Sequence, residues 1–403
     1  MKKILKVPLV FFLTLMARVA LWKHKPTIIA ITGSVGKTTT KDILYCALRD
    51  VVDVRASSKS YNSDIGVPLS VFGLDNPYTS LWKWFRVYAQ AIAQIISSNF
   101  PKVLVLEVGI GAPGDMTNIT KWMSPDISIF TQLSPDPVHL EFFDSREDIY
   151  QEKKTLATAT KQGGVVIYNG SDSILERVLN DVVQQKVAFT IPPLVRMSKE
   201  GTHITIDTHE VLLRDVVAFH FRNAVSIAYE VSKTLDVEIT EVLASLEKNY
   251  QPTPGRARLI KGINETIIID DAYNASPVAV RASLSSFEKF HTEGRKIFVF
   301  GDMMELGDIE DEAHKDIANY INFLDELITV GPRALLTHKA SENKNISAKH
   351  FDTSDEAGAY LKKSIHKNDA ILFKASRHSI QMERAIVQIA LPEEKDKLVQ
   401  DYL

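Results

Sequence analysis

The segment Ile29-Ala-Ile-Thr-Gly-Ser-Val-Gly-Lys-Thr-Thr-Thr40 limits what the chain can fold into more than any other stretch. A β-branched apolar run enters a glycine turn, and the turn opens directly into a helical stretch that continues to about Arg49. Gly33 and Gly36 let the main chain approach an anion with no Cβ in the way. Backbone N–H groups from Gly33, Ser34, Val35, Gly36 and the helix start at Lys37, Thr38 and Thr39 then point at phosphate oxygens. Lys37 has the reach for the β- and γ-phosphates, and the Thr38 hydroxyl has the position of a Mg²⁺ ligand. The spacing departs from the general G-x-x-x-x-G-K pattern, because Ile31 stands where the first glycine belongs and Gly33 replaces it. With a strand before it and a helix after it, the segment still reads as a nucleotide-phosphate loop, and ATP is the expected ligand.

Apolar strand-like runs alternate with helical stretches along most of the chain, which argues for a parallel α/β architecture. Residues 27–32, 102–107, 126–132 and 164–169 read as buried strands, and 187–217 has the short alternating pattern of antiparallel strands. Helices are expected at 220–233 and 239–248. Gln251-Pro-Thr-Pro-Gly255 cannot continue a helix and marks a boundary. Beyond it, strands are expected at 266–270, 296–301, 326–331 and 370–374, with a helix near 380–390. The expected organisation is a helix over 1–26, a P-loop ATP-binding α/β domain over 27–250 and a smaller Rossmann-like α/β domain over 251–403.

At 403 residues and 45% hydrophobic content, the chain can support two or three cores. Its net charge of −3 excludes a nucleic-acid binder that works through a broad basic surface. The single cysteine, Cys46, excludes an internal disulfide and a cysteine-rich zinc site, and fits a reducing, cytoplasmic setting.

The first residues are a special case. From Val7 to Trp22 the chain is nearly all apolar, broken by Thr14 and Arg18. That run is shorter than the roughly 20 residues a spanning helix needs, and it carries an internal charge. At helical spacing Lys3, Lys6, Thr14 and Arg18 fall near one stripe, opposite Phe11, Phe12, Leu15 and Leu21. Trp22 is followed by Lys23, His24 and Lys25, the flank expected at a membrane surface. No small-residue cleavage site follows, which argues against a signal peptide. Two readings stay open: peripheral contact of residues 1–25 with the inner face of a membrane, and a helix packed on the protein's own core or on a partner.

The variant Thr32-Gly33-Ser34-Val35-Gly36-Lys37-Thr38 resembles the loop of the Mur ligases, which build the peptide stem of bacterial cell wall, and further segments match in order. Tyr61-Asn-Ser-Asp-Ile-Gly-Val-Pro-Leu69, Glu107-Val-Gly109 with Gly114-Asp115, and His139-Leu140-Glu141 followed by Glu152-Lys153 resemble the members that add D-alanyl-D-alanine. Gly255-Arg256, Asp270-Asp271-Ala272-Tyr273-Asn274-Ala275, Gly301-Asp302-Met303-Met304-Glu305-Leu306-Gly307, Lys374-Ala375-Ser376-Arg377 and Met382-Glu383 continue the series. The likeness covers roughly residues 27–385. Departures are Ser276 where the family usually has Asn, Ala375 where it has Gly, Phe219 where it has His, and two extra residues within 132–138. Those members also carry a UDP-sugar-binding domain ahead of the loop, where this sequence has a short helix; the UDP end is expected to be recognised differently.

The resemblance implies an ATP-dependent amide ligase that activates a carboxylate as an acyl phosphate, with UDP-muramoyl-peptide and D-alanyl-D-alanine as substrates in peptidoglycan synthesis. It implies Glu107 and Thr38 as ligands of one Mg²⁺ and His139 as a ligand of a second. It further implies a carbamylated lysine at Lys153, with the adjacent Lys154 as the alternative. Asn62 and Ser63 are expected at the substrate. Arg256 would reach the transferring phosphate or a substrate carboxylate, and its planar fork suits that task. Asp271, Tyr273 and Asn274 would face the nucleotide, and Asp302 would position the incoming amine or the third domain. Lys374, Ser376 and Arg377 would receive the carboxylate of an incoming dipeptide. Closure of the two halves over ATP is expected. Two other readings are a ligase with a polymeric or membrane-linked acceptor, and a non-catalytic nucleotide-binding subunit that docks through its apolar helix. Retention of Lys37, Thr38, Glu107, His139 and Lys153 together argues against the subunit.

Overall fold

Valine- and isoleucine-rich runs bounded by glycine turns and helices build two largely parallel sheets, one in each of two compact units. The computed structural model of the chain describes residues 3–57, 61–78, 80–135, 137, 140–189 and 194–402. Its first unit comprises Met1–Pro192 with Phe221–Tyr250, and its second comprises Pro193–His220 with Gln251–Leu403.

The first unit begins with α1 (Lys3–His24), β1 (Thr27–Thr32), α2 (Lys37–Leu48), β2 (Val54–Ala56), α3 (Gly66–Phe72) and α4 (Leu81–Ile96). It continues with β3 (Val103–Glu107), α5 (Asp115–Thr120), β4 (Ile127–Phe130), α6 (Arg146–Thr158), β5 (Val165–Asn169), α7 (Ser173–Val178) and β6 (Gln185–Phe189), and ends with α8 (Phe221–Leu235) and α9 (Ile239–Asn249). The strands pair in the order β2-β3-β1-β4-β5-β6, every pair parallel. Ile29, Ala30, Leu104, Val105, Ile129 and Ile167 on the central strands are buried, as expected of strands covered on both faces. The order reverses beside β1, so the loop after β1 opens into the crevice at the carboxyl ends of β1, β3 and β4, where open α/β sheets bind ligands.

The second unit carries a three-stranded antiparallel sheet of β7 (Leu194–Ser198), β8 (Gly201–Ile206) and β9 (His209–Arg214). Its larger sheet contains β10 (Arg258–Lys261), β11 (Ile267–Asp270), β12 (Lys296–Gly301), β13 (Glu326–Val330), β14 (Ser347–Phe351) and β15 (Ala370–Lys374), in the order β10-β11-β15-β12-β13-β14. All its pairs are parallel except β10 with β11. Ser276 caps α10 (Pro277–Lys289), its side chain accepting from the Ala279 N–H, with proline at the helix start. A serine does this as well as the asparagine usual at that position.

Two expectations differ from the structure. Residues 185–189 form a parallel edge strand of the first sheet, and only 194–214 is antiparallel. The segment 193–220 groups with the second unit and not with residues before 250. The chain after β9 runs alongside β10, with Val217 N–H donating to Ala257 O (2.9 Å) and Leu259 N–H to Asp215 O (2.8 Å). On α1, the buried line is Leu13, Ala17 and Ala20, whereas Phe11, Phe12 and Leu15 face outward. Among the described residues no helix is long and apolar enough to cross a membrane.

Candidate active site

β1 delivers the chain into a turn that only glycine fits. Gly33 has φ 149° and Gly36 has φ 86°, and a Cβ on Gly33 would collide with the Thr131 hydroxyl at the end of β4. Thr131 Oγ1 donates to Val35 O (2.6 Å), Ser34 N–H to Gln132 O (2.7 Å) and Ser134 N–H to Ser34 Oγ (3.1 Å). The loop is therefore strapped to the end of β4. Gly36 is also the N-cap of α2, which has no side-chain cap. Its first N–H groups are thus presented as an anion site.

Two ammonium groups converge on the loop. Lys37 Nζ donates to Gly33 O at 2.9 Å and Lys153 Nζ donates to the same carbonyl at 3.1 Å. Lys153 lies on α6 and is only 6% exposed. Burial, and after it the positive charge of Lys37, pull the Lys153 ammonium well below the usual lysine range. Lys154, one position on, instead pairs with Asp181 at 2.5 Å. The 100° turn between neighbouring helical residues separates the two.

Glu107 ends β3, and the register sets it beside Ile31 of β1. Its carboxylate is buried and doubly held: Thr38 Oγ1 donates to Oε2 (3.0 Å) and Asn62 Nδ2 to Oε1 (3.1 Å). Asn62 is itself fixed by its carbonyl, which accepts the Gly109 N–H at 2.8 Å. A cavity of about 280 Å³ opens here, lined by Gly33, Lys37, Asn62, Ser63, Asp115 and Lys153 among others. Asp115 turns inward to accept the Gly111 and Ala112 N–H groups (2.8 and 2.9 Å). Thr131 and Asp115 escaped the sequence reading as site residues. A polar residue just after a buried strand, and an acid at a helix start, were the signals that could have found them. His139 lies outside the described residues. Among the described residues no group of three or more His, Cys, Asp or Glu could hold a metal ion.

In the second unit, β11, β15 and β12 lie side by side and their carboxyl ends collect the remaining predicted residues. The Arg256 guanidinium stacks over the Tyr273 ring, 4.7 Å from its centroid. Gly255 N–H donates to Asp270 Oδ2 (3.0 Å) and Tyr273 N–H to Gly255 O (3.1 Å), which fixes that stack. Asn274 is exposed, and its Oδ1 accepts the Ala275 N–H at 2.9 Å. Ser376 N–H donates to Asp302 O (2.9 Å), and Arg377 is half-buried, 3.8 Å from Glu383. Two residues expected at the substrate sit deeper than that role suggests. Lys374 Nζ lies 2.8 Å from Asp271 Oδ2 with both groups buried, and the Ser283 hydroxyl also donates to Asp271. Asp302 Oδ1 accepts the Arg333 and Ala334 N–H groups (both 2.9 Å), which holds the turn after β13.

Comparison with known proteins bears on the fold and the family. A Mur ligase middle domain matches residues 31–204, and a Mur ligase, glutamate ligase domain matches residues 255–377. The UDP-N-acetylmuramoyl-tripeptide--D-alanyl-D-alanine ligase of Bacillus subtilis (strain 168) is 28% identical over 361 residues, covering 87% of this chain and 73% of that one. A structure of MurF from Acinetobacter baumannii superposes with a TM-score of 0.77 at 22% identity, over 94% of this chain and 79% of the other. The structure of MurF ligase from Thermotoga maritima in complex with ADP gives 0.74 at 24% identity, over 98% and 85%. With both domains present in order on that shared fold, the chain belongs to the Mur ligase family.

Proposed function

We propose that the chain is an ATP-dependent, ADP-forming peptide ligase that adds D-alanyl-D-alanine to a UDP-N-acetylmuramoyl-peptide in cytoplasmic peptidoglycan synthesis. The observation that carries the reading is the pair Lys37 and Lys153 on one loop carbonyl, opposite a Glu107 held by Thr38 and Asn62. The family relationship and the Bacillus subtilis relative support the substrates. In the reaction a substrate carboxylate oxygen attacks the γ-phosphorus of ATP and the bond to the ADP oxygen breaks. The amine then attacks the acyl carbon, loses a proton and expels inorganic phosphate. Lys37 and the first N–H groups of α2 would hold the phosphates and stabilise charge as it moves to the ADP oxygen.

The donor set fits a hard divalent cation in part. Glu107 and Thr38 supply two adjacent oxygens, and Mg²⁺ commonly completes its shell with water and phosphate. Bound there, Mg²⁺ would neutralise phosphate charge. Lys153 as an ammonium cannot join it. Burial and the neighbouring Lys37 favour its uncharged amine form, which could add to CO₂ and release a proton, and the resulting carbamate would be a metal-ligating anion. His139 would complete a second metal position. In the second unit Arg256, Tyr273 and Asn274 would serve the nucleotide and Ser376 and Arg377 the incoming dipeptide, with Asp271, Lys374 and Asp302 supporting them from buried positions.

A second reading keeps the chemistry and changes the acceptor to a membrane-linked or polymeric one. The outward-facing Phe11, Phe12 and Leu15 of α1 favour it, through peripheral contact of residues 1–25 with the inner face of the plasma membrane. Phosphate release from Mg-ATP, measured with and without each substrate, tests both. Release that needs D-alanyl-D-alanine and UDP-muramoyl-tripeptide, with a pentapeptide product by mass, supports the first. Turnover without that product sinks the soluble acceptor, and no turnover with bicarbonate supplied sinks the ligase.

A further inference from the structure

Exposed apolar side chains are concentrated at one place on the first unit. Nine of the sixteen exposed large apolar residues among the described ones lie on α1 and α4: Phe11, Phe12, Leu15, Val19 and Trp22, then Trp82, Phe85, Ile92 and Ile96. Trp22, Trp82 and Ile96 are 76%, 71% and 72% exposed, more than a surface side chain of a well-covered monomer needs to be. The helical pattern makes each set a stripe. On α4, residues 82, 85, 89, 92 and 96 share one face, Trp84, Val87 and Ala91 are buried, and Lys83, Arg86 and Gln90 form a separate polar stripe.

The two apolar stripes adjoin. Tyr88 Oη donates to Leu9 O at 2.8 Å, and Tyr88 sits between the buried line of α4 and Phe85 with Ile92. The apolar stripe of α4 is therefore on its α1 side and the polar stripe on the far side. On α1, Lys23 Nζ donates to Ile95 O (2.7 Å) and Ile96 O (3.0 Å), and Val19 and Phe12 lie at the same edge of the helix as Lys23. His24 Nε2 is 3.2 Å from Ile95 O, and its ring stacks on Phe100 at 4.4 Å, closing the seam between the helices at that end.

Charge identifies the occupant. The sequence has no Asp or Glu from residue 1 to 41 or from 76 to 106, although the chain as a whole carries −3. Arg18, Lys23, Lys25, Lys83 and Arg86 are exposed around the apolar stripes. A second copy of the chain would bring the same basic rim against itself, which like-charge repulsion opposes. An apolar face with tryptophans at its ends, to which its two helices contribute only basic charges, matches an anionic bilayer surface.

We infer that α1 and α4 together form one membrane-docking face that seats the first unit on anionic lipid. It deepens, and rests on, the reading that residues 1–25 meet a membrane, and it adds α4 as half of the contact; the ligase reading is independent of it. Leu13, Ala17 and Ala20 stay packed on the protein, so only the outer half of α1 is available to enter the headgroup region.

The test is co-sedimentation of the full chain with vesicles of phosphatidylcholine alone and of phosphatidylcholine and phosphatidylglycerol in equal parts. The parent should partition onto the mixed vesicles at least about tenfold better than onto the neutral ones, and added salt should weaken it. Phe85→Glu on α4 and Phe12→Glu on α1 should each lower that partition by roughly tenfold or more, with circular dichroism and thermal midpoint unchanged. If Phe85→Glu binds like the parent while Phe12→Glu does not, the contact is confined to residues 1–25 and the two-helix face is wrong. Failure of the parent on both vesicles overturns both readings, and equal binding to the two vesicles overturns the anionic preference. Self-association of the parent that Phe85→Glu abolishes, without vesicle binding, gives the face to a second copy instead.

Discussion

Lys153 and Lys374 are buried to nearly the same degree, 6% and 4% exposed, and stand in opposite electrostatic surroundings. Lys374, at the end of β15, meets the Asp271 carboxylate at 2.8 Å, and that carboxylate also accepts the Ser283 hydroxyl. Lys153, on α6, meets a carbonyl and the charge of Lys37, and among the described residues no carboxylate pairs with it. A buried cation with its own anion is balanced internally, and removing either partner leaves a charge stranded. A buried cation facing another cation is relieved only by losing its proton, by the arrival of an anion, or by conversion into one. One lysine therefore belongs to the architecture of the second unit, and the other to the chemistry proposed for the first.

Lys153→Met is the severest test of that contrast. It should lower ligase kcat by about a thousandfold, with bicarbonate no longer stimulating, while the thermal midpoint stays level or rises because a buried amine with no carboxylate partner among the described residues has been replaced by an apolar side chain. Persistence of activity would remove Lys153 from the chemistry. Lys374→Met should behave the other way in equilibrium urea unfolding, costing about 3–5 kcal/mol by stranding Asp271. An unfolding midpoint equal to the parent's would show that the pair does not hold the second unit together.

His220 sharpens the comparison. Burial first, with Lys374 and Arg256 adding to it against the pull of Asp271, holds its imidazole below the ordinary value of 6.5. Below that value the unfolded chain binds a proton the native chain refuses, so His220 makes stability fall as the pH drops. Without Lys374 the pull of Asp271 is less opposed and the folded pKa moves up. The Lys374→Met deficit should then narrow by about 1 kcal/mol between neutral and mildly acidic pH, read from urea midpoints. A deficit that widens in acid would separate His220 from the pair. The smallest effect belongs to Lys154→Met, whose partner Asp181 is 72% exposed at its side chain. Stability should change by no more than about 0.5 kcal/mol and kcat by less than about twofold. A large loss of activity there would reverse the assignment of the two lysines.

Local pattern carried much of this in advance. The run from Ile29 to Thr40 encodes its strand, its turn and its helix within a dozen neighbours, and strands at 27–32, 296–301 and 370–374 stand where the apolar runs put them. The short edge strands β2, β10 and β14 were not legible, because an edge strand buries little and shows no sustained apolar run. Residues 187–189 belong to a parallel strand and not to the antiparallel set expected over 187–217, because a strand's direction depends on a partner, here β5, outside its own sequence.

The sequence by itself determined the phosphate loop, the strand-end acid Glu107, the pair Lys153-Lys154 and the two-domain order, since each is written in contiguous residues whose preferences are local. Only the tertiary structure decided which lysine turns inward, because that depends on how α6 is rotated against the sheet. It alone joined Lys374 to Asp271 across 103 positions and laid the apolar stripe of α1 beside that of α4. Charge balance and exposure are properties of neighbours in space, and no local pattern specifies them.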